Sequence, residues 1–105
     1  DVPGISLLPA TREGRGNASY FPIFVGEGYP MDRDALYEKM RRADVYARRY
    51  FYPLISDFPM YRGLPSASPD RLPVARRLSR SVLCLPIYPH LHDASIDRVV
   101  SLVAH

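Results

Sequence analysis

The run Val82-Leu83-Cys84-Leu85-Pro86-Ile87 is apolar at nearly every position and is closed by Pro86 and Pro89. Continuous apolarity over so short a span reads as a strand covered on both faces, so the segments on either side of it have to supply the cover. Just upstream, Pro73 opens a helix at a position where its missing N–H costs nothing, with Ala75 and Leu78 directed inward and Arg76, Arg77 and Arg80 outward. Just downstream, a helix from about Asp93 carries Ile96, Val99, Val100 and Val103 at i, i+3, i+4 and i+7, the strongest helical period in the chain.

Further out, Tyr20-Phe21-Pro22-Ile23-Phe24-Val25 is aromatic and β-branched and stops at Gly26, which predicts a strand with Pro22 at an edge or an early position. A helix follows, with Asp32 as N-cap and Asp34 in its first turn, running to about Ala43. Its buried stripe is Leu36, Met40 and Ala43, and its wet side is Glu38, Lys39, Arg41 and Arg42. Val45-Tyr46-Ala47 begins a third extended run that reaches Leu54, and residues 56–72 form a long Pro- and Gly-bearing connection of the kind that is often functional. Residues 1–18 read as an irregular lead-in with a small apolar patch at Ile5, Leu7 and Leu8. The predicted fold class is therefore α+β: a short, mainly antiparallel three-stranded sheet with about three helices packed on one side of it. Three strands barely suffice alone, and such a sheet is expected to want a partner surface.

A chain of 105 residues fits one small domain over residues 1–105. The 47% apolar and 11% aromatic content argues against disorder, and 11 prolines with 6 glycines argue for short elements joined by turns. Net charge is +3, but 11 acidic residues are mixed among the 14 basic ones, which disfavours a nucleic-acid face. Cys84 stands alone, so no intrachain disulfide forms and a reducing compartment is expected; in apolar packing its thiol is structural rather than reactive. No window is long and apolar enough to cross a bilayer and no signal pattern opens the chain, so a soluble, cytoplasmic protein is expected. The opening Asp1-Val2-Pro3-Gly4, without an initiator Met, suggests a piece of a longer protein.

The chemistry concentrates in Ala47-Arg48-Arg49-Tyr50-Phe51-Tyr52-Pro53-Leu54. Arginine forks grip phosphate or carboxylate at two points, and a phenol adds a donor on a flat apolar ring. Arg48, Arg49, Tyr50 and Tyr52 thus suit a phosphorylated, ring-bearing ligand. The same pattern also describes a plain strand whose rings fill a core and whose arginines are solvated. In an alternating strand Arg48, Tyr50 and Tyr52 share one side and Arg49 takes the other, unless the segment twists or bulges near Pro53. His90 and His92 lack the further ligands a metal needs and read as a turn and a helix start. Lys39, the only lysine, lies on the polar side of a helix rather than in a desolvated pocket fit for a Schiff base. With no nucleophile elbow and no paired carboxylates, no catalytic residues are assigned.

The succession Tyr20–Val25, Asp32–Met40, Ala47–Leu54, Leu72-Pro73-Val74-Ala75 and Val82–Pro89 closely resembles, in order and over nearly the whole chain, the C-terminal small domain of the DegT/DnrJ/StrS family. These are pyridoxal-phosphate-dependent aminotransferases of nucleotide-activated sugars. The resemblance implies the small domain of a fold type I enzyme whose large N-terminal domain carries the cofactor lysine. It also implies a homodimer, an amino-acid donor, commonly glutamate, and a keto sugar as acceptor. Relatives often place a histidine or tyrosine where Tyr50 stands, near the bound sugar nucleotide, and several have a second histidine where this chain has Ile55. The expected substrate contacts are Tyr50 first, then Arg49, with Arg48 and Tyr52 beside them. A small basic phosphate- or nucleic-acid-binding module using Arg41, Arg42, Arg48 and Arg49, and a purely structural dimerisation domain, are the rival readings.

Overall fold

The computed structural model describes residues 1–9 and 16–105. Three strands, β1 (Ile5–Leu7), β2 (Phe21–Val25) and β3 (Val82–Leu85), form one sheet in the order β1-β2-β3, antiparallel throughout. Three helices, α1 (Arg33–Arg42), α2 (Pro73–Ser81) and α3 (Asp93–Ala104), complete the domain, and the connection between α1 and α2 is broken into short 3-10 turns at Ile55–Asp57, Pro65–Ala67 and Pro69–Arg71. Period-two alternation and the register Ile5↔Val25, Phe21↔Leu85, Ile23↔Leu83 place Ile5, Ile23, Val25, Leu83 and Leu85 on one face. That face packs on Leu36 and Met40 of α1 and on Val99 and Val103 of α3, with Leu36, Met40 and Leu83 fully buried. α2 meets β2 elsewhere, with Leu78 and Phe24 lining a common groove.

The helix starts follow their sequence signals. Asp32 caps α1, its carboxylate accepting from the Ala35 N–H at 2.7 Å, and Pro73 opens α2. His90 lies in a turn and His92 stands at the N-cap position of α3, without a side-chain capping bond. Tyr29 ties the turn before α1 to the end of α3, its buried hydroxyl donating to Val103 O at 2.6 Å. Gly4 has φ +78°, and a Cβ there would lie 2.0 Å from the Tyr29 nitrogen, so only glycine lets β1 enter beside this turn.

Four expectations are corrected and one is narrowed. The lead-in is not wholly irregular, since Ile5–Leu7 pairs with β2 and supplies the third strand; of that lead-in, residues 10–15 lie outside the described residues. The extended run 47–54 is not a strand. It contributes one bridge, Arg48 to Cys84, with N···O distances of 2.9 and 2.8 Å, and then turns away because Phe51 adopts φ +46°, a left-handed conformation that no strand continues. β2 is the middle strand rather than an edge, and of the two places allowed for Pro22 it takes the early one, second in β2; it is tolerated there because β1 pairs only as far as Ile23 and leaves it past the end of that ladder. In α2 the buried residue is Ser79 while Leu78 is exposed and Arg76 is half-buried against Asp57, 2.7 Å away, because the helix lies against the long connection. In α3 Val99 and Val103 are buried but Ile96 and Val100 are 42% and 56% exposed, because α1 covers only one side of the apolar stripe.

Candidate substrate-binding site

The site is built outward from the first turn of α1. An arginine there opposes the helix dipole, whose positive end disfavours a cation, so Arg33 requires partners of its own. It has them. Only 2% exposed, it donates from one terminal nitrogen to Ser79 O at 2.7 Å and Val82 O at 2.9 Å, the carbonyls where α2 gives way to β3. Its Nε donates to Asp34 Oδ1 at 2.9 Å, and its guanidinium lies 4.8 Å from the Tyr52 ring centre. A buried cation is tolerable only when paired and hydrogen-bonded, and three hydrogen bonds, one of them to a carboxylate, and a ring contact supply this.

Arg49 joins the same assembly. It reaches Asp34 Oδ1 at 3.3 Å and stands 4.6 Å from the Tyr37 ring centre and 5.1 Å from that of Tyr52. The contacts run Arg33, Tyr52, Arg49, Tyr37, with one carboxylate oxygen shared by both guanidinium groups. Burial pushes the Asp34 carboxyl up, but the hydrogen bonds and charges of Arg33 and Arg49 outweigh it and hold the group below its ordinary 3.8. A carboxyl lowered on folding contributes stability above its unfolded value and loses that contribution as pH falls through its folded value. The melting temperatures of the wild type and Asp34→Asn should therefore differ fully near neutrality and converge as pH drops below the usual carboxylate range. A gap that stays constant from pH 7 to pH 2 would show that the carboxylate charge does not hold this cluster.

The other two expected contacts lie apart. Tyr50, 37% exposed, packs edge-on to Tyr20 with ring centres 5.2 Å apart and lies 4.1 Å from the Phe51 ring. The Arg48 backbone is pinned to Cys84, and the residue lines a hollow of about 260 Å³ with Ser19, Tyr20, Tyr46 and Tyr88. Cys84 also lines that hollow; burial pushes its thiol up, and the charge of Arg48 only partly opposes the rise. The expected grouping of Arg48, Tyr50 and Tyr52 on one side is thus corrected: the turn after Arg48 sends Arg49 and Tyr52 together into the α1 cluster. Tyr20 links the rest, lining the Arg48 hollow and meeting the Tyr50 ring. Sequence reasoning missed Arg33, Asp34, Tyr37 and Tyr20 as part of this region. The one signal available was Arg33 itself, a cation at the wrong end of a helix.

Lys39 is not on the open surface as expected. Its ammonium donates to Leu102 O at 2.8 Å and ties α1 to the last turn of α3. Committed in this way, the only lysine of the chain does not fit an aldehyde cofactor. Among the described residues no three His, Cys, Asp or Glu side chains are grouped for a metal, and no helix is long and apolar enough to cross a membrane.

The sequence profile of the DegT/DnrJ/EryC1/StrS aminotransferase family matches residues 1–104. The chain belongs to this family. Among its relatives, the dTDP-4-amino-4,6-dideoxy-D-glucose transaminase of Escherichia coli is 46% identical over 102 residues, 97% of this chain and 28% of that protein. The transaminase of the same name from Shigella dysenteriae is 35% identical over 103 residues, 98% of this chain and 28% of that protein. The dTDP-4-dehydro-2,3,6-trideoxy-D-glucose 4-aminotransferase of Saccharopolyspora spinosa is 32% identical over 99 residues, 94% of this chain and 24% of that protein. A solved structure from Bacillus cereus, described as a PLP-dependent aminotransferase, superposes with a TM-score of 0.67 at 17% identity over 82% of this chain and 22% of its own, and so shares the fold. The chain of this DegT/DnrJ/EryC1/StrS family member therefore spans 28% or less of the length of these relatives.

Proposed function

We propose that this chain is the C-terminal small domain of a cytoplasmic, homodimeric aminotransferase that uses pyridoxal phosphate. The enzyme moves an amino group from an amino acid, glutamate in the simplest case, to the keto group of a dTDP-linked deoxy sugar. The observation that carries the reading is 46% identity to a dTDP-amino-sugar transaminase across 97% of the chain. The cofactor and its lysine belong to the large domain outside this chain, because Lys39 is engaged with Leu102 O. Within this domain, Tyr50 and Arg48 contact the sugar nucleotide, and Arg49 and Tyr52, joined to the α1 cluster, brace that side of the substrate cleft. The rival patch of Arg41, Arg42, Arg48 and Arg49 loses weight, since Arg49 is paired with Asp34 and stacked on two rings rather than presented to a polyanion.

The deciding experiment supplies the full-length protein with pyridoxal phosphate, glutamate and the 4-keto counterpart of the amino sugar in the relatives' names. The expected outcome is stoichiometric amino sugar and 2-oxoglutarate; no amino sugar with any common amino-acid donor would sink the reading. The excised 105-residue chain is expected to form no aldimine and to transfer nothing. Incubation with the cofactor followed by borohydride reduction should leave Lys39 unlabelled. Stoichiometric labelling of Lys39 would contradict the placement of the cofactor in the large domain.

A further inference from the structure

We propose that the hollow bearing Arg48, and not the adjacent Arg49, is where this domain grips the diphosphate of its nucleotide ligand. The inference rests on the proposed function for the identity of the ligand and on this structure for the site. Two neighbouring arginines in one motif have opposite fates. The Arg49 guanidinium is held by Asp34 at 3.3 Å and lies against Tyr37 and Tyr52, so its charge is already answered and its faces are occupied. Among the described residues, no ion pair or ring contact engages the guanidinium of Arg48.

The root of Arg48 is nonetheless fixed. Both its N–H and its carbonyl are bonded to Cys84 at the edge of β3, so the side chain leaves the sheet from one defined point. Arg48 lines a hollow of about 260 Å³ together with Ser19, Tyr20, Tyr46 and Tyr88, residues that carry hydroxyls and, in the tyrosines, flat apolar rings. A fork of N–H donors with phenols around it matches phosphate oxygens flanked by a ring. Tyr46 donates its hydroxyl to Asp44 at 3.1 Å, so it offers its ring to a ligand, and Ser19, Tyr20 and Tyr88 remain as donors. The larger hollow of about 750 Å³ beside β2 and α2 is a poorer anion seat, because Glu27 and Asp32 line it along with Arg77 and Arg80, and its third arginine, Arg33, is already committed to Asp34 and two carbonyls. Tyr20 also packs on Tyr50, which places the diphosphate grip next to the ring expected at the sugar.

Titration of the full-length protein by calorimetry with dTDP, inorganic pyrophosphate and pyridoxine 5′-phosphate tests the site and its ligand source. Arg48→Gln should weaken dTDP and pyrophosphate at least tenfold and leave pyridoxine phosphate unchanged. Arg49→Gln should weaken them less than threefold while lowering the melting temperature. Arg48→Lys, which keeps the charge but not the fork, should recover part of the loss, and Tyr88→Phe, at an exposed ring, should weaken dTDP about threefold without affecting folding. dTDP affinity within twofold of wild type in both Arg48→Lys and Tyr88→Phe, or a loss confined to Arg49→Gln, would overturn the assignment. So would a pyridoxine phosphate affinity that follows Arg48. Arg48-dependent dTDP binding in a protein that transaminates no keto sugar would keep this site and remove the proposed activity; transamination with Arg48-independent dTDP affinity would do the reverse.

Discussion

Arg33→Ala is expected to destabilise the domain by about 3 kcal/mol, because two buried carbonyls, Ser79 O and Val82 O, lose a charged donor at once. Each buried acceptor left without a partner costs roughly 1–3 kcal/mol, and the Tyr52 and Asp34 contacts are lost with them. Arg33→Lys should recover only a minor part, since one ammonium on a flexible stem cannot span both carbonyls and the Asp34 carboxylate while lying against a ring. Urea denaturation of the wild type and both variants measures this directly. A loss below about 1 kcal/mol for Arg33→Ala would mean that water takes the place of the guanidinium, and that the junction of α2 and β3 is held by the apolar core instead.

Local chemistry written in consecutive residues was legible in the sequence. Asp32 and Pro73 start their helices as the capping and N1 preferences require, Leu36 and Met40 fall on the buried side of α1, and Val82–Leu85 is the covered strand its apolarity predicted. Properties that depend on distant partners were not. Three residues at Ile5–Leu7 are too few to show a period, and they become a strand only because Phe24 and its neighbours offer a free edge. Ala47–Leu54 has strand composition, yet the positive φ at Phe51 ends it, and composition carries no sign of that dihedral. The candidate residues of the segment were grouped by an alternation the backbone does not have. Their true grouping depends on Arg33 and Tyr37 of α1, which no spacing within the motif could reveal. The exposed Ile96 and Val100 show the same limit from the other side: helical period marks an apolar stripe, but the width of the neighbouring element decides how much of it is covered.

Tyr50→Phe in the full-length enzyme is expected to raise the Michaelis constant for the sugar nucleotide about tenfold while leaving the melting temperature unchanged, the loss of roughly 1.5 kcal/mol that one hydrogen bond to a charged group represents. The ring and the hydroxyl of this side chain have separate tasks. Its ring is spoken for by Tyr20 at 5.2 Å and Phe51 at 4.1 Å, contacts that phenylalanine keeps, whereas a hydroxyl on a partly exposed ring is available to a ligand. Tyr50→Ala removes both. It should raise the Michaelis constant further, because Tyr20 loses the edge-on neighbour that orients it beside Arg48, and it should lower the melting temperature as well. If the hydroxyl contact is equally strong in the ground and transition states, kcat stays level and only the Michaelis constant moves; a fall in kcat would place the contact on the reacting part of the sugar. Unchanged constants in Tyr50→Phe, together with a lowered melting temperature in Tyr50→Ala, would show that Tyr50 serves packing alone and would remove it from the substrate cleft.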